Sequence, residues 1–143
     1  MKKTIIFILC IVIIILSIFG KKYLDYKEQK ALIAKENLEY ENYLEKDVSG
    51  RDLTTAINRA VDNNEKNKIS KDENGFYIQN NSNSIEIEIK ISDNDTTYKM
   101  ETLYNGGMVN FIQYYGDILF KCVNINYNSQ GRVDYILFEQ NTN

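Results

Sequence analysis

The chain has no histidine, no proline and no tryptophan among its 143 residues. The missing histidine removes imidazole, both as a metal ligand and as a general base near neutral pH. No C-x-x-C, G-x-x-x-x-G-K, G-x-S-x-G or H-E-x-x-H pattern occurs either, which takes away the commonest signatures of redox, nucleotide, acyl-transfer and metalloprotease chemistry. Cysteine is scarce. Cys10 lies in an apolar run and Cys122 stands alone outside it, so no internal disulfide is expected in the polar part. A single cysteine in an apolar strand reads as a small core residue, not as a reactive thiol.

Charge is missing from one place in particular. Residues 4–19 carry none, and only Thr4 and Ser17 offer hydroxyls. As a helix, residues 4–20 would span about 25 Å at ~1.5 Å per residue. A bilayer core is about 30 Å thick, so this is a short membrane span. Isoleucine dominates it and also favours strands, but a single segment in lipid satisfies its own backbone only as a helix. Lys2 and Lys3 ahead of an apolar run are also the layout of a secretory signal peptide. No A-x-A site comes after the run, and Phe7-Ile8-Leu9 lacks the small residue a lipidated Cys10 would need. An uncleaved anchor over residues 1–20, contacting the bilayer through residues 4–20, is the expectation. The lysines of the C-terminal flank (Lys21, Lys22, Lys27, Lys30, Lys35) argue for a cytoplasmic C-terminal side. The very short basic N-terminal tail argues for export of the chain beyond the apolar run, and an extracytoplasmic domain is the reading adopted.

Residues 21–46 balance six lysines against six acids and contain neither Gly nor Pro. They read as a charged helical stalk continuing the anchor. Leu24, Ala31 and Leu38 recur every seven residues, as do Tyr26, Ile33 and Tyr40, a pattern that suits a solvated stalk or a short coiled-coil seam.

Residues 47–143 hold nine Lys and Arg against fourteen Asp and Glu, a net of −5. That sign does not attract nucleic acid. Ser49 and Asp52 form a capping pattern for a helix running to about Asn63, with Leu53, Ala56, Ile57, Ala60 and Val61 on one face and Val48 and Leu53 as a staple. Phe76–Gln79 reads as a short strand. Ser84–Ile91 is the clearest strand: Ile85, Ile87, Ile89 and Ile91 alternate with Glu86, Glu88 and Lys90. Thr96–Tyr104 reads as its return strand. Met108, Phe111, Ile112 and Tyr115 have helical spacing and end at Gly116. Ile118–Tyr127 and Arg132–Glu139 flank the hairpin signal Asn128-Ser129-Gln130-Gly131. The expected domain is α+β, of order α-β-β-β-α-β-β, with a small antiparallel sheet.

The segments Gly50–Asn67, Lys71-Asp-Glu-Asn-Gly-Phe-Tyr-Ile-Gln79 and Tyr104-Asn-Gly-Gly107 resemble a group of small membrane-anchored proteins of clostridia and related Firmicutes. That resemblance implies a layout and no activity. The chain is rich in Ile, Lys and Asn, as AT-rich coding favours. A basic start, an apolar-then-polar helix and a sheet also resemble type IV pilin-like proteins. The chain departs from these in lacking the Gly-Phe-type cleavage site and the glutamate early in the apolar run.

Candidate chemistry is confined to carboxylates. Asp93-Asn94-Asp95-Thr96 resembles the start of a calcium loop but lacks the turn glycine and the distant glutamate. Asp72-Glu73 precedes the turn Asn74-Gly75. Glu86 and Glu88 sit about 7 Å apart on one face of a strand, a spacing found in glycosidases but also on any wet strand face. No catalytic, metal or cofactor residue is therefore assigned. Eleven tyrosines are the other excess. Tyr98, Tyr104, Tyr114, Tyr115, Tyr127 and Tyr135 fall in or beside the sheet, where tyrosine serves packing or interfaces. The expectation is a non-catalytic, membrane-tethered interaction module of the cell envelope with a protein partner or self-association. A minor pilin-like or secretion-apparatus subunit is the alternative.

Overall fold

The computed structural model describes residues 2–92 and 95–142. Asp93 and Asn94, the first two residues of the calcium-like stretch, lie outside the described residues. The chain divides into two compact units, Met1–Lys35 and Glu36–Asn143.

The first unit is helical. Helix α1 is Lys2–Glu41, so its last turns belong to the second unit. Its most apolar window has a mean hydropathy of 2.8 and none of it is buried. It is long and apolar enough to cross a membrane. The Ser17 hydroxyl donates to the Ile13 carbonyl at 2.8 Å, so this hydroxyl brings its own acceptor into an apolar stretch.

The second unit is α+β and begins earlier than the boundary expected at residue 47. Strand β1 (Asp47–Ser49) leads into α2 (Gly50–Lys66). Ser49 caps α2 as its spacing predicts, accepting from the Asp52 N–H at 3.2 Å. The Asp52 carboxylate accepts from the Ser49 hydroxyl at 2.8 Å instead of reaching the Ser49 amide. Strands β2 (Glu86–Ile91) and β3 (Thr96–Lys99) form one hairpin. Helix α3 (Met100–Thr102), a π-helical turn (Leu103–Gly107) and α4 (Met108–Tyr115) continue without a break. Strands β4 (Leu119–Tyr127) and β5 (Val133–Gln140) close the domain.

The five strands lie in the order β1-β4-β5-β2-β3. Three contacts are antiparallel, but β2 and β5 run parallel, pairing Glu86 with Tyr135 through to Lys90 with Glu139. The sheet is thus mixed. Hairpin spacing reveals only pairs of neighbouring strands, and the central β2–β5 contact joins segments far apart in sequence.

Three local expectations change. Asp47–Ser49, taken as a lead-in to the helix, pairs with β4. Phe76–Gln79 makes a single bridge, between Tyr77 and Lys71, and joins no ladder. The Tyr77 N–H is instead bound by the buried carboxylate of Glu101 at 2.9 Å. The return strand stops at Lys99, and residues 100–107 are helical. Met100 and Leu103 are both buried at helical spacing, and the π turn adds the residue that brings Phe111 onto the same buried side.

The core lies between the helices and one face of the sheet. Leu53, Ala56, Ile57, Ala60 and Val61 of α2 meet Ile87, Ile89, Ile136, Phe138 and Phe120. The Tyr43 ring stands edge-on to Phe138, with centroids 5.7 Å apart. Within this unit the end of α1 is tied to the β4–β5 hairpin: the Asn37 amide donates to the Gly131 carbonyl at 2.7 Å, and Glu36 pairs with Arg132.

Candidate functional site

Because strand side chains alternate, the residues that leave Ile87, Ile89 and Phe138 facing the helices put their neighbours on the opposite, open face. Register fixes who meets whom there. One row crosses the whole sheet as Asp47, Lys121, Glu139, Lys90 and Thr97. The next holds Asn124, Leu137, Glu88 and Lys99, and the last holds Asn126, Tyr135 and Glu86.

The first row neutralises itself. Lys90 lies 3.7 Å from Glu139 and 4.0 Å from Asp95. The other end is richer in acid. Glu86 accepts from the Lys99 ammonium at 2.7 Å, and Glu88 accepts from the Tyr135 hydroxyl at 2.7 Å. The bond to Glu86 raises the Lys99 pKa, and burial together with the bond to Glu88 raises that of Tyr135. The paired glutamates of β2 are therefore side by side, but each carries its own donor.

Asp134 joins this end through a bulge. Asn126 pairs with Tyr135 and Tyr127 pairs with Val133, so Asp134 is the extra residue of β5. A second extra residue, Val123, interrupts β4. Bulges re-aim side chains and increase local twist. Here the bulge brings Asp134 beside Tyr135 in a shallow depression of about 600 Å³, whose walls include Glu86, Asn126, Tyr127 and Gln79. The Tyr127 hydroxyl donates to Glu41 at 2.8 Å. Burial raises the Asp134 pKa above its ordinary value, and among the described residues no cation pairs with it.

A second hollow, of about 250 Å³, lies between the edge strand β3 and α4. It collects Tyr98, Tyr114 and Tyr115 around Leu103 and Phe111. Tyr104 is exposed on the π turn.

The remaining candidates are structural. Cys122 is 3% exposed, its thiol donates to the Asn124 carbonyl at 3.7 Å, and burial pushes its pKa up to about 11. A thiol so protonated is a poor nucleophile. Asp72 accepts from the Asn74 and Phe76 N–H groups, both at 2.9 Å, and so builds the expected turn, in which Gly75 takes φ +84°. Among the described residues no group of three or more His, Cys, Asp or Glu is placed to hold a metal ion. Asp134 and Glu101 were not singled out from the sequence. Asp134 carries no local signal, because its direction depends on a bulge.

No known protein family, curated protein or solved structure matches this chain. Its function is therefore read from the geometry of the open face and the two hollows.

Proposed function

We propose that this chain is a non-catalytic, membrane-tethered interaction module of the cell envelope, with its folded domain on the extracytoplasmic side. The observation that carries this reading is the open face of the sheet. Its carboxylates Glu86 and Glu88 are occupied by Lys99 and Tyr135, so neither is placed as a free acid or base, while the same face presents tyrosine, asparagine and aliphatic surface to solvent. Engaged charges and half-exposed tyrosines suit recognition better than proton transfer. The apolar N-terminal helix supplies the tether and confines any encounter to the membrane surface, which raises the local concentration of a partner held in the same membrane.

The test is site-specific photocrosslinking in intact cells from Val123 on the open face and from Tyr114 in the β3–α4 hollow. A discrete adduct with another protein from either position supports the module. Absence of adducts from both removes its basis. Sidedness is read separately with Cys122→Ser and Thr142→Cys together and a membrane-impermeant thiol reagent, Thr142 being exposed near the C-terminus. Labelling before lysis supports an extracytoplasmic domain, and labelling only after lysis places it in the cytoplasm.

A further inference from the structure

We infer that a third hollow, between the end of α1 and α2, binds a free α-amino acid, its carboxylate held by the Tyr40 hydroxyl and the Arg59 guanidinium and its ammonium by Glu39 and Asp62. This is a small-molecule site, apart from the open sheet face, and it does not rest on the reading of the chain as an interaction module.

The hollow holds about 300 Å³ and lies where the parallel strands β2 and β5 begin. Residues 36–40 of α1 and 59–66 of α2 form two walls, and Ile85, Arg132 and Val133 form the third. That volume is at the small end for ligand pockets and suits a molecule of amino-acid size.

Tyr40 is the residue that points to a ligand. It is 5% exposed, yet among the described residues its hydroxyl has no hydrogen-bond partner. The polar side-chain atoms sealed off without a partner are Glu101 Oε2 and Arg132 Nε, so the Tyr40 hydroxyl keeps an opening, and the hollow is what it opens on. Burial and then Glu39 raise its pKa, while Arg59 lowers it. At neutral pH the hydroxyl is therefore a donor, with an acid and a guanidinium as its electrostatic neighbours. A tyrosine buried this deeply ordinarily has its hydroxyl bonded, and an acceptor brought into the hollow would complete it.

Arg59 points to a carboxylate. Among the described residues it makes no hydrogen bond, and its ion contact with Glu39 is long, at 3.9 Å. Its planar fork is left free, and a carboxylate fits that fork with two bonds.

The balance of charge points to a zwitterion. Glu36, Glu39 and Asp62 face Arg59, Lys66 and Arg132 across the hollow. Glu36 and Arg132 pair with each other, which leaves two acids and two cations around the space. Among the described residues Asp62 and Lys66 have no ion pair, although they stand one helical turn apart. A simple anion or a simple cation would leave one sign uncompensated. A carboxylate and an ammonium on one carbon meet both.

The test uses the full chain in uncharged detergent micelles. The probes are glycine and its two halves, acetate and methylamine. Saturation transfer to the ligand protons gives affinity, and tyrosine ring NMR signals give the place. The expected result is saturable binding of glycine that moves the Tyr40 signal, with acetate and methylamine each at least about tenfold weaker. Tyr40→Phe should weaken glycine binding about fivefold and Arg59→Gln about tenfold, whereas Lys121→Gln, which removes a like charge from the open face, should change it less than about twofold. Because its hydroxyl has no partner in the chain, Tyr40→Phe should keep the parent's melting temperature without ligand, which separates lost binding from lost fold. No saturable response to glycine up to about 50 mM would overturn the inference. So would acetate binding as tightly as glycine, which would make the hollow a plain anion site. Movement of Tyr127 or Tyr135 in place of Tyr40, or equal losses in Arg59→Gln and Lys121→Gln, would overturn it too.

Discussion

The side chain of Asn64 on α2 pairs with the backbone of Ile85 as a neighbouring strand would: its amide donates to the Ile85 carbonyl at 2.8 Å, and the Ile85 N–H donates back to Oδ1 at 2.9 Å. Asn37 on α1 does the same work at the start of the parallel partner strand, accepting from the Val133 N–H at 2.9 Å and donating to the Gly131 carbonyl at 2.7 Å. The parallel pair β2–β5 thus begins at two strand ends that are each satisfied by a helix-borne asparagine. Asn64 is fully buried, so no water can replace it.

Asn64→Ala should therefore cost about 2–4 kcal/mol, because it strands a buried donor and a buried acceptor together. Asn64→Asp should also destabilise, since a carboxylate keeps the N–H bond but sets negative charge against the Ile85 carbonyl. Asn37→Ala should cost less, about 1–3 kcal/mol, at a rim that is slightly more open. Urea unfolding of the full chain in detergent, followed by near-ultraviolet circular dichroism, measures all three.

Gly50 is where the start of α2 passes the end of α4. A Cβ there would sit 2.0 Å from the Tyr115 carbonyl oxygen and 3.2 Å from the Gly116 Cα, and both obstacles are backbone. The Gly50 N–H also donates to the Ile118 carbonyl at 2.9 Å, which holds the crossing tight. Gly50→Ala should cost on the order of 3 kcal/mol despite alanine's better helix propensity, an overpacking penalty that the same unfolding experiment reads directly.

Lys68 ends α2 in the left-handed region, with φ 53°. Its N–H donates to the Glu65 carbonyl at 3.0 Å, and that of Ile69 donates to Asn64 at 2.9 Å. This is the Schellman pattern with lysine where glycine is the comfortable residue. Relief of the Cβ strain outweighs the added freedom of the unfolded chain, so Lys68→Gly should stabilise by about 0.5–1 kcal/mol. A raised melting temperature checks it.

Four tyrosines, Tyr40 and Tyr77 buried and Tyr43 and Tyr135 half-buried, should lower stability at alkaline pH. Burial raises Tyr77 to about 12 from 10, with Glu65 adding to the shift, and burial also raises Tyr40, Tyr43 and Tyr135. The folded chain keeps protons that the unfolded chain releases above pH 10. Stability contributed by these groups is whole below pH 10 and falls as pH rises, with the Tyr77 share gone once pH passes about 12. Tyrosinate absorbance in the near-ultraviolet should rise late and together with unfolding, and Tyr77→Phe should flatten part of that dependence.

Much of this protein is written in local pattern. The uncharged run of residues 4–19 requires a helix in lipid whatever the rest of the chain does. The Ile85-87-89-91 alternation chooses which face of β2 is dry. Ser49 and the apolar stripe from Leu53 to Val61 set the start and the buried side of α2. Each of these comes from residues within a few positions of one another. The parallel β2–β5 contact does not, because hydrophobic alternation records that a face is buried and never which strand lies beside it. Tertiary packing also decided that Met100–Gly107 would be helical, once Met100 and Leu103 were needed in the core on one side. The bulge that turns Asp134 toward Tyr135 arises only where β4 and β5 fall out of register. The open face therefore owes its residues to the sequence and its rows of neighbours to the sheet, since side-chain chemistry is local and register is not.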